Sequence, residues 1–416
     1  MTNTSVVRTD ITIMGAGLVG LAAAVGLQQA GFSVVLIDSK NPDQESKNKE
    51  PPTKSAAKND DIWDKRIYAI SPKNAEWLKS LAVWQLLNPM RIGQMQAMEI
   101  WGDATAQPLQ LSAEDVNADY LGFIVEANAL MQALMQRMEA SGIRTFFEHS
   151  CNTLYTDPNK ATLQLANRQT PDTQKLIESS LLLAADGSHS WVRQQMNIPV
   201  HQKSYDQIAL VANFEVETSH ANIARQWFAQ DAKGRNSILA WLPLPGNRIS
   251  IVWSVSTQYA EVLLALTDAE FTQQVTVAGD SILGELRLIS SPAAFPLALQ
   301  KADTLTQDCV VLVGDAAHQI HPMAGQGVNL GFRDVVDLIE ILAEKNQYQS
   351  VNDSSLFKRY SRVRKADTLN MLMLTDGLCR LFESQHYTIK KLRNWGLSAA
   401  NQQSIKKILV ANAIAL

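Results

Sequence analysis

Apolar positions change their period several times along the chain, and the changes outline an architecture. Residues 11–14 form a short apolar run that meets a glycine-rich turn. An Ala- and Leu-rich helical stretch follows, and then a second apolar run at 34–37. This order predicts strand, crossover helix and parallel strand. Buried-strand patterns recur at 181–185 and 309–313, the latter leading through a small-residue loop into a helical pattern over 328–342. Helical spacing also covers 72–91, where Trp77, Leu78, Leu81, Trp84 and Leu87 share a face, and 123–142, which stops at Gly142 before a strand at 144–147. Strands are expected at 94–101 and 107–111.

From 206 to 256 the pattern alternates with period two, giving strands at 208–217, 225–229, 237–242 and 248–255. Pro243, Pro245 and Gly246-Asn247 supply the turns of an antiparallel sheet. A helix at 258–278 and a strand at 283–289 complete this region. The apolar face carrying Trp227, Trp241 and Trp253 either roofs an aromatic pocket or is ordinary sheet packing. The polar, Pro-bearing stretch 39–61 shows no periodicity and reads as a mobile insertion. Near the end, residues 404–416 set Lys406 and Lys407 among Ile405, Ile408, Leu409, Val410, Ile414 and Leu416. That segment is expected to contact a membrane surface or a partner, or to dock on the protein's own core.

Composition narrows the function classes. A chain of 416 residues, 46% hydrophobic and 19% charged, has room for two domains and a large core. A net charge of −4 offers no basic field for nucleic acid. Three scattered cysteines (Cys151, Cys309 and Cys379) form no metal or disulfide pattern and suit a reducing cytoplasm. The first strand begins almost at once, with no cleavable signal expected before it, and no run has the apolar length to span a bilayer.

Three strand ends carry the candidate chemistry. The first is Gly15-Ala16-Gly17-x-x-Gly20, with Asp38 eighteen residues after the third glycine. Glycines there permit a tight turn, close approach of a pyrophosphate and helix–strand packing, while Asp38 can accept from a ribose hydroxyl, so dinucleotide binding is expected. The second is Ala185-Asp186-Gly187, followed by Ser190 and Arg193. The third is GDAAHQIHPMAGQGVNLGFRD over 314–334, where a loop delivers the positive end of a helix dipole and unpaired N–H groups to a ligand.

Together these segments resemble the single-component FAD-dependent aromatic hydroxylases around para-hydroxybenzoate hydroxylase. The 314–334 segment is most similar to that of the ubiquinone-biosynthesis hydroxylases. Asp64-Lys65-Arg66-Ile67-Tyr68-Ala69-Ile70 and Phe123-Ile124-Val125-Glu126 also resemble family elements. In one departure, Ala127 stands where the family usually has Asn or Gln, with Asn128 next.

The resemblance implies an α/β fold: a Rossmann-type FAD-binding domain with an inserted antiparallel β-sheet substrate domain and a helical C-terminal part. The expected segments are 1–71, 106–195 and 291–344 for FAD, 72–105 and 196–290 for substrate, and 345–416 for the helical region. It further implies non-covalent FAD, NAD(P)H as co-substrate docking without a fold of its own, and O₂. Oxygen would pass through a C4a-hydroperoxyflavin to the ring of a polyprenylated phenol. A peripheral membrane contact or a ubiquinone-pathway complex, at the cytoplasmic face, would suit that substrate.

By the same resemblance, Gly15, Ala16, Gly17, Gly20 and Asp38 hold the pyrophosphate and adenosine side. Gly314 and Asp315 address the ribityl or pyrophosphate region, and Asp186 and Arg193 serve the pyrophosphate region and its adjoining turn. Gly325, Gln326, Gly327, Val328 and Asn329 present backbone N–H groups to the N1–C2=O edge of the ring, with Pro322 shaping its edge. Arg66 lies on the nicotinamide path or forms a surface salt bridge. His318 and His321 act as acid–base groups or as hydrogen-bonding parts of their loop. Arg66, His318 and Pro322 are the catalytic candidates, and no metal ligand set is present. Two other readings stay open: a hydroxylase of a different small aromatic, and a flavin-binding assembly or sensor subunit.

Overall fold

The computed structural model describes residues 5–42, 63–102, 108–167, 174–230, 234–319 and 326–383, together with 406, 407 and 410. Most of the 39–61 insertion, His321, Pro322, Gly325 and most of 404–416 lie outside the described residues.

One sheet is wound around the first βαβ unit. Strand Ser5–Met14 lies between Val34–Ile37 and Gln174–Ala184, all parallel, with Arg144–Phe146 beyond the former and Val310–Leu312 beyond the latter. Parallel strands buried on both faces need continuous apolar sequence, and Ile11, Ile13, Leu181, Leu182 and Leu183 are all closed off from solvent. Helix Leu18–Gln29 packs between this sheet and helix Gln326–Ala343. Its Ala22, Ala23 and Ala24 let the layers approach closely.

The second sheet is antiparallel apart from one pair. Its spine is Val200–Val216, flanked by Ala293–Ala302 on one side and by Arg248–Ser256, Asn236–Leu244 and Ile223–Gln230 on the other. Ala97–Trp101 joins Ile223–Gln230 in parallel, and Leu109–Ser112 closes the edge. Strands Ile67–Ile70, Gly122–Glu126 and Gly93–Met95 form a small third sheet. Helix Ser354–Glu383 leads the C-terminal part.

Several expected boundaries move. The helix at 72–91 is only Pro72–Ser80: Ser71 caps it, Ala82 turns left-handed at φ 57°, and short 3-10 turns follow. It packs through Ala75 and Leu78 into the core of the first sheet. The helix at 258–278 is two, Thr257–Leu264 and Asp268–Ala278, because Thr267 and Glu270 form a capping box that starts a new helix. Residues 122–126 are a strand, and the helix begins at Ala127. The segment limits at 72, 106 and 290 therefore do not coincide with the sheets, since Ala97–Trp101 pairs with Leu109–Ser112, and Ala293–Ala302 with Val200–Val216.

Candidate functional site

At the first strand end each glycine has a separate duty. Gly15 turns at φ +102°, and a Cβ there would sit 2.4 Å from the Ala185 carbonyl oxygen. A Cβ on Gly20 would strike the Gly15 carbonyl oxygen at 1.9 Å. Gly17, by contrast, has nothing within 4 Å of such an atom, so no protein group requires it to be bare. The Ala16 N–H donates to Asp38 Oδ2 at 2.6 Å, which fixes the acid beside the turn and leaves carboxylate lone pairs free for a hydroxyl.

The other two strand ends are bolted together. Arg193 donates from Nη1 to the Ala316 carbonyl at 2.8 Å and from Nη2 to the Ser188 carbonyl at 2.7 Å. Those two bonds make it a strut between the two loops. Asp186 Oδ2 accepts from the Val192 N–H, while Oδ1 is buried without a hydrogen-bond partner among the described residues. His318 is buried, with Nε2 2.8 Å from Asp334 Oδ2, and it is absent from the cavity wall. Asp334 also accepts from the Gly314 N–H at 2.8 Å and from Arg364 Nε at 2.7 Å. Asn329 anchors the start of helix Gln326–Ala343 to the small sheet: its Oδ1 accepts from the Ser71 N–H and Asn74 Nδ2, and its Nδ2 donates to the Ala69 carbonyl.

Between the sheets lies a cavity of about 2110 Å³. That exceeds the roughly 300–1,000 Å³ usual for one small ligand and leaves space for two molecules side by side. Gly17, Gly314, Asp315, Gly327 and Val328 line it on the Rossmann side. Like Gly17, Gly327 has no atom within 4 Å of a notional Cβ. Arg66 projects into the opening, its guanidinium 5.4 Å from the Tyr68 ring centre and 5.9 Å from that of Phe295, and among the described residues it forms no salt bridge. Asp64 accepts from the N–H groups of Arg66 and Asn128, which ties the start of the helix at Ala127 to the Arg66 turn. Glu126 holds Arg91 through two bonds of 2.7 and 2.8 Å, and Arg91 lies over the Trp63 ring at 4.2 Å.

Trp227, Trp241 and Trp253 do not roof this cavity. They face the other way, packing on Ala260, Leu263, Phe271 and Val275 of the two helices behind the sheet. Side chains alternate along a strand, so the cavity face carries their neighbours: Gln226, Ala240, Leu242, Val252 and Ser254.

Acids around the opening are biased toward their neutral forms. Burial raises Asp186, and also Asp64 despite its backbone hydrogen bonds. Asp315 is open only toward the cavity; the protein crowding its other sides raises it, against the pull of His318 and Arg66. Burial raises the Tyr68 hydroxyl as well. Asp334 goes the opposite way: burial opposes its charge, but His318, Arg364 and the Gly314 N–H together outweigh burial and lower it.

A family described as FAD binding domain matches residues 70–374. The 3-demethoxyubiquinol 3-hydroxylase of Escherichia coli is 33% identical over 96% of both chains. The chain belongs to the ubiquinone-biosynthesis hydroxylase family of FAD-dependent monooxygenases. Within this family, Rhodospirillum rubrum ubiquinone hydroxylase UbiL is 31% identical over 97% of this chain and 89% of its own. The mitochondrial ubiquinone biosynthesis monooxygenase COQ6 of Homo sapiens is 30% identical over 97% and 92%. Among solved structures, p-nitrophenol 4-monooxygenase from Pseudomonas putida superposes with a TM-score of 0.73 at 15% identity, covering 99% of each chain. Klebsiella pneumoniae HpxO, solved with FAD and uric acid, gives 0.70 at 15% identity over 97% of each. Those two establish the fold.

As a member of this family the protein uses FAD, and its residues fit that group. Two bare glycines face the cavity from two helix N-termini, and the orphaned Asp186 oxygen lies by the same turn. Sequence reasoning missed Arg91, Arg364 and the cavity-facing row of the sheet. The last was available from the period-two pattern once the tryptophans were assigned to the opposite face; Arg91 and Arg364 sit in segments with no motif.

Proposed function

We propose that this monooxygenase hydroxylates the aromatic ring of a polyprenylated phenol in ubiquinone biosynthesis, using NAD(P)H and O₂. The relatives' own names point to that pathway. The observation carrying the reading is the cavity, which joins the FAD-fitting strand ends to the face of a β-sheet in one space large enough for two ligands.

Bound FAD supplies electron transfer from NAD(P)H and activation of O₂. The chain's own residues supply position and field. Gly17 admits the pyrophosphate and Asp38 holds the adenosine ribose. Asp186 and Asp315 donate to or accept from the phosphate–ribityl region. The N-terminus of helix Gln326–Ala343, starting at Gln326, Gly327 and Val328, would offer backbone N–H groups and the positive helix end to the flavin ring and so favour negative charge there. Arg66, held at the opening by Tyr68 and Phe295, meets the nicotinamide nucleotide. His318 keeps Asp334 and the loop in place rather than moving a proton to substrate.

The reading includes a cytoplasmic protein working at the inner membrane face or within a ubiquinone-pathway complex, since a polyprenyl tail partitions into lipid. No helix of the described residues is long and apolar enough to cross a membrane. Lys407 is exposed and Lys406 partly so, whereas Val410 is wholly buried in the protein's own cluster with Leu109 and Leu111. Membrane attraction is therefore assigned to the lysines, and Lys406→Glu/Lys407→Glu should reduce co-sedimentation with anionic vesicles. Lipid analysis of a strain lacking the gene tests the function: an accumulated, under-hydroxylated prenylphenol supports it, and a normal quinone profile counts against it.

A further inference from the structure

The cavity face of the antiparallel sheet carries three polar side chains that the protein itself does not satisfy. Gln226 is 5% exposed, lines the cavity and makes no side-chain hydrogen bond among the described residues. Ser250 is 1% exposed, and its hydroxyl is buried without a partner. Ser254, 3% exposed, lines the same wall without a side-chain bond. Burying a hydroxyl unpaired is unfavourable, and the Ser250 oxygen is such a group, so this wall, with Gln226 and Ser254 opening onto the cavity beside it, suits a polar ligand group.

Register fixes their arrangement. Gln226 lies opposite Ala240, and Ala240 opposite Val252. Ser250 and Ser254 stand two residues before and after Val252 on its strand, opposite Leu242 and Ile238. Two residues along a strand span about 6.7 Å, and neighbouring strands lie about 4.8 Å apart. The polar groups thus border a small apolar floor, Ala240 and Val252, with the dimensions of one substituted benzene ring. The floor's small side chains leave depth for the ring, and the bulky tryptophans of the same strands point away.

We propose that the substrate's aromatic ring lies on the Ala240–Val252 floor and that the Gln226 amide oxygen accepts from its ring hydroxyl, with Ser250 and Ser254 setting its rotation. This rests on the phenol hydroxylase reading above and goes beyond it, because it names the residues that select an oxygenated ring. Gln226 is a positioning and specificity residue: it chooses which ring carbon faces the flavin without taking part in electron or oxygen transfer.

The test compares two probes on the oxidised holoenzyme, a short-chain prenylphenol and the same molecule lacking the ring hydroxyl, each titrated by perturbation of flavin absorbance. The wild type should bind the phenol roughly ten-fold tighter than its hydroxyl-free analogue. Gln226→Leu should bring the ratio near one while retaining FAD, and Gln226→Glu, which keeps an acceptor, should restore part of it. An unchanged ratio in Gln226→Leu overturns the assignment. So does a wild type that binds both probes equally, a result needing no variant to fold. A wild-type flavin spectrum untouched by either probe instead overturns the phenol reading, and the inference with it.

Discussion

Arg364 and Asp334 meet at 2.7 Å, Nε to Oδ1, with both side chains closed off from solvent. Asp334 simultaneously receives the Gly314 N–H, and Arg364 also holds Asp337 and Asp367. The C-terminal helix is thereby tied to the turn at Gly314 through two side chains. Removing one partner strands a buried charge. Arg364→Met should cost about 3–5 kcal/mol of stability, read as a lower denaturant midpoint, and should speed FAD release. A midpoint within error of wild type would disprove the pair's importance.

The same acid predicts a pH dependence. Asp334 has a folded-state pKa below its unfolded value, so its charge contributes stability that is fully present above the ordinary carboxylate range and is lost as pH falls through the folded value. Between about pH 5 and pH 3, unfolding free energy should fall more steeply with acid in the wild type than in Asp334→Asn. Equal slopes would contradict this.

Asp186 has the opposite sign. Burial raises its pKa, so its charge costs stability at neutral pH and the cost is relieved as pH falls. Asp186→Asn should leave the FAD-free protein as stable at pH 7 as the wild type, or more so, while weakening FAD binding. Calorimetry of the apoprotein, paired with an FAD titration, checks both halves.

Gly17→Val and Gly15→Val should fail differently. A Cβ at position 17 meets no protein atom within 4 Å, and the residue lines the cavity, so that variant should fold and purify colourless. At position 15 the Cβ collides with the Ala185 carbonyl in a left-handed conformation, and the fold itself should suffer. Circular dichroism and flavin absorbance per mole of protein separate the two. A yellow Gly17→Val protein would refute the seat assigned to FAD.

Asp315→Ala tests the third strand end. Loss of one charge-assisted hydrogen bond, roughly 1.5–3 kcal/mol, should weaken FAD about ten- to hundred-fold with the fold retained. An unchanged dissociation constant would remove Asp315 from the site.

Local chemistry made much of this legible in advance. A glycine turn, a strand-end acid and a helix start are short-range features, and 11–38, with the described residues 310–312 and 326–343, adopt the elements their spacing predicts. Long-range partners were not legible. Nothing near Asp334 marks Arg364, thirty residues on, as its counter-ion. Arg193 shows the same limit: its motif position suggested ligand contact, but its guanidinium is committed to Ala316 and Ser188. The tryptophans stayed open between pocket and packing because period two says which residues share a face, not which face meets the cavity; they pack behind the sheet.

Turnover by this chain should place an oxygen atom from O₂ on the ring of a prenylated phenol. The most direct measurement is single-turnover incubation of the FAD-loaded enzyme with NAD(P)H, a short-chain prenylphenol and isotopically heavy oxygen gas, followed by mass spectrometry of the phenol and assay of hydrogen peroxide. The account predicts one heavy oxygen in the ring of the product and little peroxide. NAD(P)H oxidation yielding only peroxide, with the phenol returned unlabelled, would contradict it.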